Sequence, residues 1–172
     1  MQLPPASQRH RNPATVDAPA GIRLRGWLIP IGVGLVLLPF RLALFLMEDI
    51  APAFTTEVWA ALTVPGSPTY HPFNAPILLF ELVGNVVLLA SSAGVALAFF
   101  FKHRRVPLIA VVFLGTAWLF YVIDYLASER LAAAQGLQSS GPMWDLLGAT
   151  VLCAMLVPYF LLSQRVKKTF LR

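Results

Sequence analysis

Six polar residues whose side chains could do chemistry lie within otherwise apolar stretches of this 172-residue sequence. They are Arg41, Glu81, Asn85, Tyr121, Asp124 and Asp145. Buried in a bilayer, such groups could bind a polar ligand, relay protons or hold helices together by hydrogen bonds. An ionisable side chain that stands alone at the centre of a membrane helix costs about 2.5 to 3.5 kcal/mol. We therefore expect these groups to meet one another.

Their spacing predicts one cluster in the outer third of a helical bundle. Glu81 and Asn85 are four residues apart, so they share one face of a helix, and Tyr121 and Asp124 are three residues apart on the next. Arg41 falls at a similar depth to Glu81, and we predict that these two residues form the core of the cluster together with Asn85.

Two interpretations of the cluster follow. Polar residues in membranes often act as hydrogen-bonding contacts between helices, which would make the cluster structural. Intramembrane charges also mark binding sites and proton-linked transport pathways, which would make it functional. In both cases the cluster is centred on Arg41, Glu81 and Asn85.

Catalytic chemistry is not indicated by the sequence. It contains no Ser-His-Asp set, no zinc-protease motif and no phosphate-binding glycine loop. His10, His71 and His103 fall outside the apolar stretches, so no histidine is available to ligate a haem within the bundle. The lone Cys153 excludes an internal disulfide and a thiolate cluster. We predict no catalytic residue, no metal site and no cofactor.

The elements that must position the cluster are membrane helices. Hydrophobic residues make up 58% of the chain and charged residues only 12%, too few for the surface of a soluble domain. Four apolar stretches are each long enough to cross a bilayer, at about 27–47, 76–101, 107–126 and 143–162. The sequence predicts an all-α polytopic membrane protein with a four-transmembrane-helix bundle over residues 24–163.

The charges at the two ends of these spans predict the orientation. Basic residues precede the first span, join the second to the third, and follow the fourth. The other two loops carry Arg130 as their only Lys or Arg but hold Glu48, Asp49, Glu57 and Glu129. By the positive-inside rule both termini are cytoplasmic. We predict a disordered N-terminal tail (1–23) and a basic C-terminal tail (164–172), with a cytoplasmic anchor formed by Ser163, Arg165, Lys167 and Lys168. The net charge of +5 thus indicates topology, and no nucleic-acid partner is expected.

Small residues in the second span predict close helix packing. Ala90, Gly94 and Ala98 recur at every fourth position, and Gly84 precedes them on the same span. Such a stripe lets a second helix approach closely. We expect it to lie inside the bundle, against another span or against a second copy of the protein.

Several segments resemble the family named domain of unknown function 2569, small four-span proteins of the bacterial inner membrane. The segments are GWLIP, the run Pro39-Phe40-Arg41, FELVGN at residues 80–85 and PYFLLSQRVKKTF at residues 158–170. The resemblance covers roughly residues 24–171. The positions that match the family pattern are Arg41, Glu81, Gly84, Asn85, Pro158, Tyr159, Phe160, Ser163, Arg165, Lys167 and Thr169. Leu156 departs from the pattern, in which tryptophan is usual.

The resemblance implies a multi-pass protein of the bacterial inner membrane but no activity. We expect a non-enzymatic membrane component, or an assembly or accessory protein, whose partners are the lipid bilayer and either a second copy or another membrane protein. The alternative is a small-solute or proton-linked transporter that uses the Arg41, Glu81 and Asn85 cluster.

Overall fold

Four long apolar helices dominate the structure, a computed structural model that describes residues 28–137 and 143–163 together with Val166. The helices in chain order are α1 (Leu28–Phe45), α2 (Thr56–Thr63), α3 (Asn74–Phe100), α4 (Val106–Ala134) and α5 (Met143–Leu162). A π-helical turn (Leu46–Ile50) and a 3₁₀ turn (Ala51–Phe54) continue α1. All but the short α2 have the length and composition to cross a membrane. The predicted all-α class with four spans is confirmed.

Parts of the predicted tails lie outside the described residues. These are the N-terminal tail (1–23) and three basic residues of the predicted anchor, Arg165, Lys167 and Lys168. Ser163, the fourth anchor residue, directly follows α5, and its backbone N–H donates a hydrogen bond to the Tyr159 carbonyl at 3.0 Å.

The long helices pack in the order in which the chain makes them. α1 packs against α3, α3 against α4, and α4 against α5. α1 and α5, the two ends of this row, have no comparable packing against each other. The four helices therefore form an arc, and we call the gap between α1 and α5 the seam.

The arc has two different ends. At one end, which we call the loop end, α1 and α4 finish and α3 and α5 begin. At the opposite end, the turn end, residues 101–105 join α3 directly to α4. Phe99 and Val106 are buried against each side of this short connection, at 0% and 1% exposure, so the turn end is tightly packed.

An apolar cavity of about 430 Å³ lies in the half of the bundle nearer the turn end. All four long helices line it, with Leu35 from α1, Val95 from α3, Phe113 from α4 and Leu156 from α5 among the lining residues.

The bounds of α3 and α4 differ from the predicted spans. α4 continues to Ala134, beyond the predicted span end at residue 126, because residues 127–134 (ASERLAAA) are mostly strong helix formers that need no bilayer. α3 starts at Asn74, two residues before the predicted start. Asn74 Nδ2 donates to the carbonyls of Leu62 at 2.9 Å and Thr69 at 3.0 Å. Gln135 Nε2, just past α4, donates to Asn74 Oδ1 at 3.2 Å, which ties the helices together.

Gly84 allows α3 and α4 to approach closely. A Cβ atom at Gly84 would overlap the ring of Phe120. That ring is 9% exposed and packs against Phe80 and Tyr121, with ring centroids 5.1 and 5.5 Å apart. Because Phe120 is held on both sides, it has little room to yield.

The predicted small-residue stripe faces two ways. Ala98 packs against the apolar core. Ala90 and Gly94 are exposed, and a Cβ atom at Gly94 would meet no atom within 4 Å. Over most of its length the stripe therefore lies on the outer surface of the arc rather than inside the bundle, where we expected it.

We expect the Gly84→Ala substitution to lower the free energy of unfolding by about 1 to 3 kcal/mol, because the new methyl group overpacks the contact with Phe120. Reversible denaturation in detergent micelles would measure this change. Gly115→Ala is the matched control, since Gly115 has nothing within 4 Å. Alanine forms helices better than glycine by about 1 kcal/mol, so the control should be neutral or stabilised. A stabilised Gly84→Ala variant would contradict the close contact.

Candidate functional site

A polar cavity of about 260 Å³ lies at the loop end of the bundle. Its lining residues are Phe45, Ile50, Glu81, Asn85, Tyr121, Asp124 and Asp145. Five of the six polar residues that the sequence singled out are therefore brought together, and the sixth, Arg41, is not among the lining residues. We call this space the polar cavity.

Each wall of the polar cavity follows from local helical geometry. Glu81 and Asn85 are one turn apart on α3, and Tyr121 and Asp124 are one turn apart on α4. α3 and α4 pack side by side, so the two polar pairs face a common space. Ile50, in the π-helical turn after α1, is 4% exposed and supplies an apolar wall.

Asn85 has a polar atom that no group of the described residues satisfies. The residue is 2% exposed, and its Nδ2 donates to the Glu81 backbone carbonyl at 2.9 Å. The amide must be oriented this way, because the reverse orientation would set two acceptors against each other. Asn85 Oδ1 is left without a hydrogen-bond partner among the described residues.

Asp124, on α4, is also buried with one unpaired oxygen. The residue is 7% exposed, and its Oδ1 has no hydrogen-bond partner among the described residues. The side chains of Glu81 and Asp124 lie close enough to interact with each other. Two carboxylates side by side repel unless a proton or a cation lies between them. The polar cavity thus holds an excess of hydrogen-bond acceptors.

The carboxyl groups are not arranged as a metal site. Within the described residues, no group of three or more His, Cys, Asp or Glu side chains has the geometry to hold a metal ion. Acceptors spread around a cavity suit a ligand that carries its own directional N–H or O–H donors.

Arg41 forms an ion pair with Asp145, not with Glu81. Its Nη2 donates to Asp145 Oδ1 at 3.0 Å, and the two side chains are 76% and 31% exposed. The pair connects α1 to α5 across the seam at the rim of the polar cavity. The predicted Arg41–Glu81 core is therefore wrong. The sequence fixes depth along a helix axis, whereas rotation about that axis decides which acid a cation meets.

Sequence reasoning missed Asn74, and it gave Tyr159 only as a position that matches the family pattern. Asn74, 4% exposed, connects α2, α3 and the end of α4 through the hydrogen bonds described above. Its position just before an Ala-Pro step is a signal, because asparagine is frequent at helix starts. The structure adds that the Tyr159 hydroxyl group is buried without a described partner and that the residue lines the apolar cavity.

A double-mutant cycle would test the partner of Arg41. We expect a coupling energy of about 0.5 to 1 kcal/mol between Arg41→Ala and Asp145→Asn, a small value because the pair is largely exposed. The matched cycle of Arg41→Ala with Glu81→Gln should give a coupling near zero. Unfolding in detergent micelles supplies the four free energies for each cycle. A larger coupling with Glu81 than with Asp145 would contradict the ion pair.

Comparisons with known proteins assign the chain to a family. No curated protein and no solved structure matches the chain significantly. Residues 22–171 match the family described as "Protein of unknown function (DUF2569)". Since the match spans most of the chain, and four helices have the length and composition of membrane spans, this multi-pass membrane protein belongs to the DUF2569 family.

Proposed function

We propose that this protein is a non-enzymatic component of the bacterial inner membrane that assembles, within the bilayer, with a second copy of itself or with a partner membrane protein. The observation that supports assembly is the outward face of α3. Ala90, Ser91 and Gly94 are exposed on this face near the middle of the helix. We call these three residues the α3 patch.

The α3 patch has the properties of a helix-contact surface in lipid. Gly94 has open space around its Cβ position, so another helix backbone could come close. Apolar side chains are as well solvated by lipid tails as by a neighbouring helix, so membrane helices associate through close packing and hydrogen bonds. Ser91 adds a hydroxyl group that can bond across such a contact. Val87 and Leu97, 52% and 60% exposed, flank the patch with larger side chains.

The non-enzymatic part of the proposal is supported by the hydrogen bonds of the two described histidines. His71 Nδ1 accepts a hydrogen bond from the Phe73 backbone at 3.3 Å, and His103 Nδ1 accepts one from Arg105 at 3.2 Å. Both imidazoles thus accept hydrogen bonds within local turns, and neither lines the polar cavity. None of the comparisons favours the alternative of a small-solute or proton-linked transporter.

The cytoplasmic location of both termini is part of the same proposal. Lys102, Arg104 and Arg105 occupy the turn end, whereas Glu48 and Asp49 occupy the loop end. A positive turn end facing the cytoplasm is the expected orientation. The polar cavity would then open toward the outer face of the membrane.

Blocking the α3 patch should abolish assembly and leave the fold intact. We expect Gly94→Leu to prevent the close approach of a second helix, because its side chain would project into space that is empty in a single chain. In a Cys153→Ser background, Ser91→Cys should give disulfide-linked dimers in native membranes if the partner is a second copy. A crosslinked band of another mass would indicate a different membrane protein.

Gly148→Leu is the control, since Gly148 is also exposed with nothing within 4 Å, but lies on α5. It should leave the crosslinking yield unchanged. Monomers alone in native membranes, or equal crosslinking with and without Gly94→Leu, would refute assembly through this face.

Cysteine accessibility would test the orientation. In the Cys153→Ser background, Val64→Cys at the loop end should react with a membrane-impermeant maleimide in intact cells. His103→Cys at the turn end should react only after the cells are opened. Both positions are exposed, so burial does not bias the comparison. Labelling of His103→Cys in intact cells would contradict the proposed topology.

A further inference from the structure

We propose that the polar cavity binds a primary ammonium group, donated either by the head group of an aminophospholipid or by a small free amine. This inference concerns a ligand site and does not depend on assembly through the α3 patch.

The first step is the count of charges around the cavity. Glu81, Asp124 and Asp145 line it. Of these three carboxylates, Asp145 forms an ion pair with Arg41 at the rim. Glu81 and Asp124 face each other. No Lys or Arg of the described residues forms an ion pair with either of them. A positive charge between them would remove their mutual repulsion.

The second step is the set of unsatisfied acceptors. Asn85 and Asp124, 2% and 7% exposed, both line the cavity, and one oxygen of each has no described partner. A buried acceptor left unpaired costs about 1 to 3 kcal/mol. A primary ammonium group carries three N–H donors and no acceptor. It could therefore satisfy the Glu81 carboxylate together with Asn85 Oδ1 and Asp124 Oδ1, once the two closed oxygens turn toward the cavity.

The third step is space and access. The cavity of about 260 Å³ is far larger than the roughly 10 to 15 Å³ that one water needs, so a substituted ammonium group with its first carbons can fit. The cavity lies at the end of the spans, where α3 and α5 begin. Lipid head groups and dissolved amines both reach this level of a bilayer. Phe45 and Ile50 supply an apolar wall for the carbons.

The experiment compares ligands that share a cationic nitrogen and differ in whether it carries N–H donors or methyl groups. Full-length protein in detergent would be titrated with ethanolamine and, separately, with choline, whose quaternary ammonium has no N–H. In a second arm, native mass spectrometry would count phosphatidylethanolamine and phosphatidylcholine retained from nanodiscs that contain equal amounts of both. Preferential binding of ethanolamine without retention of phosphatidylethanolamine would identify a free amine as the source. Preferential retention of phosphatidylethanolamine, with or without ethanolamine binding, would identify the lipid.

Variants assign the binding to the polar cavity. Glu81→Gln and Asp124→Asn keep the side-chain shape and remove a charge, and we expect each to weaken binding by about 10- to 100-fold. Glu57→Gln, on the exposed face of α2, is the matched control and should bind like the wild type. Circular dichroism and gel filtration would show whether each variant is folded. Because there are two independent variants, the test still works if one of them does not fold.

The outcomes separate this proposal from the proposed function. Gly94→Leu should keep full binding even if it abolishes assembly. No preference for ethanolamine over choline together with none for phosphatidylethanolamine over phosphatidylcholine would overturn the proposal. Unchanged binding in folded Glu81→Gln and Asp124→Asn variants would overturn it too.

Discussion

Polar side chains within a bilayer have no water to bond to, and this constraint organises the whole loop end of the protein. Each carboxyl or amide must either reach a partner in another helix or line a space that admits something polar. The protein uses both solutions. Arg41 and Asp145 pair across the seam, whereas Glu81, Asn85 and Asp124 surround a cavity. The turn end, by contrast, is closed by apolar side chains such as Phe99 and Val106.

The arc arrangement separates two cavities of opposite character. The polar cavity is lined by residues at the loop end. The apolar cavity is lined by residues in the half of the helices nearer the turn end. Because α1 and α5 do not close against each other, neither space is sealed by helix packing at the seam. Tyr159 is a buried polar group on the apolar side, as Asn85 is on the polar side.

Much of this fold could be predicted from the sequence because bilayer thickness fixes helix length. The four spans, and the depth at which Glu81, Asn85 and Asp124 lie, follow from apolar runs and a constant rise per residue. Rotation of each helix about its axis does not follow from such rules. That is why the partner of Arg41 was predicted wrongly and why Gly94 points outward. The continuation of α4 to Ala134 was missed because helix-forming residues outside the bilayer carry no hydropathy signal.

The sequential packing of the helices has a consequence for biogenesis. Each long helix after the first packs against the long helix made just before it, so the bundle can build up span by span as the nascent chain leaves the ribosome. No span has to wait for a distant segment or be threaded between earlier ones. Among the described residues, the ion pair between Arg41 and Asp145 joins the first span to the last, and it forms after synthesis of α5 has begun. An insertion intermediate that ends after α4 would already hold both polar pairs of α3 and α4, still lacking its final wall.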